Sequence, residues 1–279
     1  MTIIDAIRAR KSCRTYSDRT IEREKLSELT GFLKANGKGP FGASVRFELV
    51  DFNALEAAEA GTLGTYGVIR GASVFIAGAV LKQPRAIEDF GYCMELNILK
   101  ATELGLGTCW LGGTFRRRGF GRQMGLAADE FLPAVTPVGY AGEKRSLTDR
   151  FFRFGAGSDQ RKPWSELFFD GSMDSPLPKE TAGSYEIPLE CVRIGPSASN
   201  KQPWRIIRNG EAFHLYLHRT PGYDKLTRGL PLQDVDMGIA MCHFGLSAKE
   251  LGLRGAWRVQ DPGNPANDLE YVASWLSFK

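Results

Sequence analysis

The sequence predicts an α+β protein made of two similar halves in one chain, and three observations carry that prediction. Residues 89–110 read DFGYCMELNILKATELGLGTCW and residues 236–257 read DMGIAMCHFGLSAKELGLRGAW, with ten of 22 positions identical at a constant offset of 147. Average residue frequencies give roughly one or two identities over such a stretch, so it reads as a duplicated unit. Helix-period and strand-period segments interleave on both sides of it. With 43% hydrophobic and 24% charged residues in 279 positions, the chain can bury one large core or two small ones.

Taken in order, Thr2 and Asp5 make a capping-box-like start, with Asp in place of the usual Glu or Gln, for a short helix carrying Ile3, Ile4 and Ile7. Thr20 precedes a second helix with Ile21, Leu26, Leu29 and Leu33. VRFELV (45–50) and SVFIAGAV (73–80) read as strands, followed by a long helix with Phe90, Met94, Leu99 and Leu104 that runs out at Gly105. TPVGYA (136–141) is the next strand and completes a first half over residues 1–150. Residues 151–185 read as a connecting segment, although Phe151, Phe152, Trp164, Phe168 and Phe169 predict that it packs on the body.

The second half, 186–279, repeats the order with strands WRIIR (204–208) and AFHLYLH (212–218). A long helix with Met237, Met241, Leu246 and Leu251 ends at Gly252, and EYVASWLSF (270–278) closes the half as a strand. Glycine inside a helix costs about 1 kcal/mol relative to alanine, yet Gly91 and Gly238 occupy equivalent places in the two long helices. A close crossing of those helices accounts for both, at a pseudo-twofold interface like that of a dimer whose subunits have been fused.

Composition removes several function classes. The net charge is +4, from 36 basic against 32 acidic residues, a mild excess that suits an anionic ligand without requiring nucleic acid. The cysteines (Cys13, Cys93, Cys109, Cys191 and Cys242) are odd in number, scattered and never in a C-x-x-C pair. Neither a disulfide framework nor a zinc site is expected, and a reducing cytoplasm fits. MTIIDAIRARKS meets charge by its fifth residue and the longest apolar run is about half a membrane span, so neither a secretion signal nor a membrane segment is expected.

Four clusters could carry chemistry. In RARKSCR, the cations Arg8, Arg10, Lys11 and Arg14 surround Ser12 just after the first helix; guanidinium forks and hydroxyls match phosphate oxygens, while a solvated basic turn is the plainer reading. Lys144 and Arg145 follow a strand end, where ligands meet α/β sheets, or are surface charge. Leu111, Gly112 and Gly113 lie in GLGTCWLGGT, a turn that lets backbone approach a flat ligand. In PSASNKQPWR, residues Pro196, Ser197, Ala198, Asn200 and Gln202 gather hydroxyls and carboxamides that could read the edge of a heterocycle, or could simply close a helix end. His214, His218 and His243 lie on a predicted strand and helix and read as structural.

Together these features resemble the FMN-dependent nitroreductase family, in its branch with two half-domains fused in tandem. The resemblance rests on AIRARKSCRTY, KGPFGASVRFEL, GTYGVIRGA, ELGLGTCWLGGTF, GYAGEKRSLTDRFFRF, RKPWSELFFDG and PSASNKQPWR, which span nearly the whole chain. It implies a nitroreductase-like fold with long central helices and an FMN cofactor. Arg10, Lys11, Ser12 and Arg14 would hold the phosphate and ribityl chain, and Lys144 and Arg145 the phosphate. Leu111, Gly112 and Gly113 would back the isoalloxazine. The turn of Pro196, Ser197, Ala198, Asn200 and Gln202 would reach the same pocket from the other half. The first half has GKGPFGASVRF where the family has Asn and Gln, and the second lacks a cationic turn, so the resemblance implies one site per chain.

The expected activity is ping-pong transfer from NADH or NADPH through FMN to an electron-poor nitroaromatic or quinone, with no side chain nominated as acid or base. The alternative is a flavin-storing or redox-sensing protein on the same scaffold with little turnover. FRRRGFGRQMG (115–125) invites a nucleic-acid reading, but no stacking platform or recognition motif accompanies it; a lid near the flavin or a solvated loop is expected. With its partner built in, the chain is expected to be a monomer whose partners are small molecules, not nucleic acid or membrane.

Overall fold

Val74–Leu81 is buried along nearly its whole length, whereas its neighbour Val45–Asp51 alternates between buried and partly exposed positions. That contrast marks a central and an edge strand. The computed structural model describes residues 1–55, 63–142, 160–227, 229–263 and 268–278. In chain order its elements are α1 (Ile3–Ala9), α2 (Arg23–Ala35), β1 (Val45–Asp51), β2 (Val74–Leu81), α3 (Ala86–Glu103), β3 (Gly107–Thr108), α4 (Arg117–Gln123), β4 (Glu130–Phe131) and β5 (Val135–Gly139). There follow β6 (Phe168–Asp170), β7 (Ser172–Pro176), α5 (Glu186–Arg193), β8 (Trp204–Asn209), β9 (Ala212–His218), α6 (Tyr223–Leu226), α7 (Leu232–Glu250), β10 (Gly255–Arg258) and β11 (Leu269–Ser277).

The first sheet has the order β1-β2-β5-β3, with β4 pairing on β2, and the second has the order β10-β11-β9-β8-β6-β7. Reading β1, β2, α3, β3 and β5 against β8, β9, α7, β10 and β11, the two sheets share one order and one antiparallel pairing scheme. The duplicated sequence therefore has a duplicated topology. What the second half adds comes from the connecting segment: β6 runs parallel to β8 and β7 pairs back on β6. Phe168 is fully buried and Phe169 nearly so, which is why this turn-rich stretch becomes strand once a sheet edge is available to it.

The two long helices lie between the sheets and against each other. A Cβ on Gly91 would sit 2.3 Å from the Val235 carbonyl oxygen, and one on Gly238 would sit 2.0 Å from that of Glu88. Backbone meets backbone there, and only glycine fits. Helix α7 is buried on all sides, as expected of a helix enclosed by packed layers.

The 115–125 stretch is a helix for much of its length, not a loop. Its sequence holds glycines at 119 and 121 and lacks a capping side chain, so local propensity argues against a helix. Burial decides it: Phe120 is fully enclosed against Phe52, Phe75 and Phe115. Among the described residues no helix is long and apolar enough to cross a membrane.

Candidate functional site

Helix α1 begins on Thr2, whose Oγ1 accepts the Asp5 N–H at 3.1 Å, and ends at Arg10, where ψ turns to 123°. Ile4, Ala6 and Ile7 pack with Leu99, Cys191 and Cys242, so both halves fix this helix end. The chain then runs extended: Ser12 bridges Thr108, Thr15 bridges Arg70 and Tyr16 bridges Ala141. This lays the cationic turn beside β3 and the Gly-rich stretch that follows it. Arg10 is 9% exposed, its Nε has no hydrogen-bond partner, and that atom lies 3.8 Å from Glu95 Oε1.

Leu111 and Val135 exchange two backbone hydrogen bonds of 3.0 Å, and Arg117 Nη2 donates to the Gly112 carbonyl at 2.7 Å. Gly112 is crowded, since a Cβ there would meet Leu232 at 2.5 Å, whereas Gly113 faces open space.

The turn after α5 is held in an uncommon shape. Ser199, Asn200 and Gln202 all have positive φ, of 49°, 54° and 49°, a region costly for residues with a Cβ. Side chains fix it. Ser197 Oγ accepts the Gln202 N–H at 2.9 Å, Asn200 Oδ1 accepts from Arg161 at 2.9 Å and Asn200 Nδ2 donates to the Gln160 carbonyl at 2.7 Å. Gln202 is buried, accepts the Lys162 N–H at 2.8 Å and faces the turn.

These three stretches line one cavity of about 910 Å³ at the seam between the halves. Arg10, Lys11, Ser12 and Arg14 come from the first half, with Leu111, Gly112 and Gly113 beside them; Pro196, Ser197, Ala198 and Asn200 come from the second. Apolar wall is supplied by Ile7, Val68, Ile194, Leu232, Val235 and Ile239. Gln202 lies behind the turn and is not among the lining residues. Lys144 and Arg145 lie outside the described residues.

A buried carboxyl separates the two halves at this point. Asp89 and Asp236 are equivalent by the 147-residue offset, and each holds the turn ahead of its own half's first strand. Asp89 uses both oxygens, accepting the Phe41 N–H at 2.9 Å and the Ala43 N–H at 2.8 Å. Among the described residues Asp236 accepts only the Ala198 N–H, at 2.9 Å, and its buried Oδ2 has no hydrogen-bond partner. Asp236 lines the cavity, while Oδ2 itself is buried; burial pushes its carboxyl pKa well up, towards the neutral form that can donate as well as accept.

The family model described as "Putative TM nitroreductase" matches residues 2–248 of this chain. The chain belongs to this nitroreductase family. A solved structure described as a "putative nitroreductase" from Thermotoga maritima MSB8 is similar at a TM-score of 0.63 and 18% identity, covering 99% of this chain and 94% of that one. A nitroreductase family protein from Clostridium difficile 630 is similar over 60% of this chain and 96% of its own, at 19% identity and a TM-score of 0.44. An FMN-dependent nitroreductase from Clostridium difficile R20291 matches 51% of this chain and 90% of its own, at 24% identity and a TM-score of 0.41. No curated protein matches. The Thermotoga likeness shows the fold, so this is an α+β chain with the nitroreductase fold.

In this nitroreductase-family chain, the residues that sequence reading left without a role are those reaching the cavity from elsewhere. Arg161, from the connecting segment, lines it and clamps Asn200; Tyr223 lines it and donates to Ser199 Oγ at 3.1 Å. Asp236 had a signal in the sequence: it opens the repeat as an aspartate identical in both copies, at the head of two apolar helices. Arg161 opens RKPWSELFFDG, one of the stretches that carry the resemblance, but no role followed from it; for Tyr223 no spacing or motif gave notice. Among the described residues, no group of three or more His, Cys, Asp or Glu could hold a metal ion.

Proposed function

We propose that the chain is an FMN-dependent NAD(P)H oxidoreductase that reduces electron-poor acceptors such as nitroaromatics or quinones. One observation carries the reading: a cationic turn from one half and a polar turn from the other meet on a single cavity, and among the described residues Arg10 Nε and Asp236 Oδ2 are buried without hydrogen-bond partners. Buried polar atoms are normally satisfied, and these two belong to residues that line the cavity, which fits a polar ligand there. FMN matches in size and in kind, with an anionic phosphate for the cations, a flat ring for the apolar wall and a polar ring edge for the bare atoms.

Bound FMN would supply hydride chemistry between the two substrates. Arg10, Lys11 and Arg14 hold the phosphate, with Ser12 donating its hydroxyl. Gly112 and Gly113 keep side-chain bulk away from the ring. Asn200 and Gln202 are engaged with Gln160, Arg161 and Lys162 of the connecting segment, so Ser197 and Asp236 are left to meet the ring edge from the second half. Donor and acceptor use the same cavity in turn, which gives ping-pong kinetics and a single flavin site per chain.

The test is a visible spectrum of the purified protein with flavin counted per chain, followed by NADH and NADPH oxidation in the presence of a nitro compound. Yellow protein with one FMN per chain and acceptor-dependent turnover is expected. Colourless protein that ignores added FMN would overturn the reading.

A further inference from the structure

A second cavity, of about 1070 Å³, adjoins the first and shares Gly113, Leu226 and Thr227 with it. Its other wall is α4 and the residues just before it, which present Arg116, Arg117, Arg118 and Arg122. Tyr66 and Leu226 line it too, and are 69% and 75% exposed.

These arginines do different things. Arg117 is structural: it donates to the carbonyls of Leu132, Gly112 and Pro133 at 2.8, 2.7 and 3.2 Å and lies over the Phe115 ring. Arg118 and Arg122 are exposed, and among the described residues neither has a hydrogen bond or ion pair. They stand one helical turn apart, where like charges repel. Unbalanced cations, an exposed phenol ring and an exposed leucine share a cavity that adjoins the flavin cavity.

We propose that this second cavity is an anion subsite, and that it holds the phosphate or carboxylate groups of a substrate whose planar part enters the neighbouring cavity. Arg118 and Arg122 pair with the anion, and Tyr66 and Leu226 cover the adjoining apolar part of the substrate. The inference rests on the flavin reading for the identity of the neighbouring ligand. The anion has two sources, the phosphates of NAD(P)H or an acidic group on the acceptor.

The experiment compares wild type with Arg118→Ala/Arg122→Ala, both exposed positions outside the flavin cavity. Pyrophosphate is titrated calorimetrically into each protein as purified. KM is then measured for NADPH, for 4-nitrobenzoate and for uncharged nitrobenzene, with FMN content measured alongside. Saturable pyrophosphate binding by wild type, weakened roughly tenfold or more in the variant, is expected together with unchanged FMN content and unchanged KM for nitrobenzene. A KM increase confined to NADPH assigns the subsite to the donor, and one confined to 4-nitrobenzoate assigns it to the acceptor. Equal pyrophosphate affinity and equal KM values in the two proteins would overturn the proposal, as would Arg118- and Arg122-dependent binding of a single-stranded oligonucleotide with no change in any KM. Absence of FMN would defeat the flavin reading alone, since the pyrophosphate titration still decides the subsite.

Discussion

His243 Nε2 on α7 lies 2.8 Å from Glu95 Oε1 on α3, with both side chains sealed from solvent. The other ring nitrogen, Nδ1, faces the Cys191 carbonyl at 2.8 Å and so carries its hydrogen. Glu95 Oε2 accepts the Trp110 Nε1–H at 2.7 Å, and Oε1 also faces Arg10 at 3.8 Å. One carboxylate thus ties the two long helices together and steadies two residues of the cavity wall, Arg10 and Trp110.

Glu95→Ala is expected to cost about 3 to 5 kcal/mol, because it strands a buried histidine and an indole N–H. For a chain of this size that is a fall in Tm of roughly 6 °C or more. Thermal denaturation checks it, and a Tm within about 2 °C of wild type would show that the pair contributes little to the fold.

Arg10→Ala and Arg14→Ala should each weaken FMN binding by roughly tenfold to a hundredfold, the range for losing one charge-assisted contact. Glu95 keeps His243 and Trp110 in the Arg10 variant, so that fold should persist. Riboflavin lacks the phosphate and serves as the control in a fluorescence titration. Unaltered FMN affinity, or an equal loss for riboflavin, would remove the phosphate assignment.

Gly238→Ala should destabilise by about 1 to 3 kcal/mol or more, since its Cβ would meet the Glu88 carbonyl and the helix cannot yield without moving the whole crossing. Gly113→Ala has open space around it and should leave Tm unchanged. Paired denaturation curves read the contrast directly, and two similar curves would contradict the helix crossing.

Burial raises the Asp236 carboxyl above its unfolded value. Its contribution to stability is therefore full below about pH 4, the unfolded carboxylate range, and is lost as pH rises through the folded value. Asp236→Asn stays neutral and can still accept the Ala198 N–H. In flavin-free protein the variant should gain on wild type as pH rises from 4.5 towards 8 in a series of melts. A Tm difference independent of pH would show that Asp236 does not titrate in this way.

Much of the scaffold was legible in local pattern. Strands β1, β2, β5, β8, β9 and β11 and both long helices follow from periodicity, since each element's own residues hold its apolar face. Helix α4 and strand β6 were not, because each depends on burial against distant chain, Phe120 against Phe75 and Phe168 beside Ile206, and the exposed β7 forms only by pairing on β6. In the site, the cationic turn and the polar turn each stood out by composition. Arg161 and Tyr223 did not, since neither is unusual until the 196–202 turn folds against them.

The amino-acid sequence by itself determined that there are two related halves, that each carries one long glycine-bearing helix, and that the cations and the carboxamide-rich turn lie in opposite halves. Only the tertiary structure decided that those turns meet at one cavity, that Asp89 is saturated while Asp236 keeps a bare oxygen, and that an arginine-lined cavity opens beside it. The reason is separation along the chain. Local sequence sets backbone preference and apolar faces, but which polar atom finds a partner depends on groups far along the chain, brought together when the helices cross at Gly91 and Gly238.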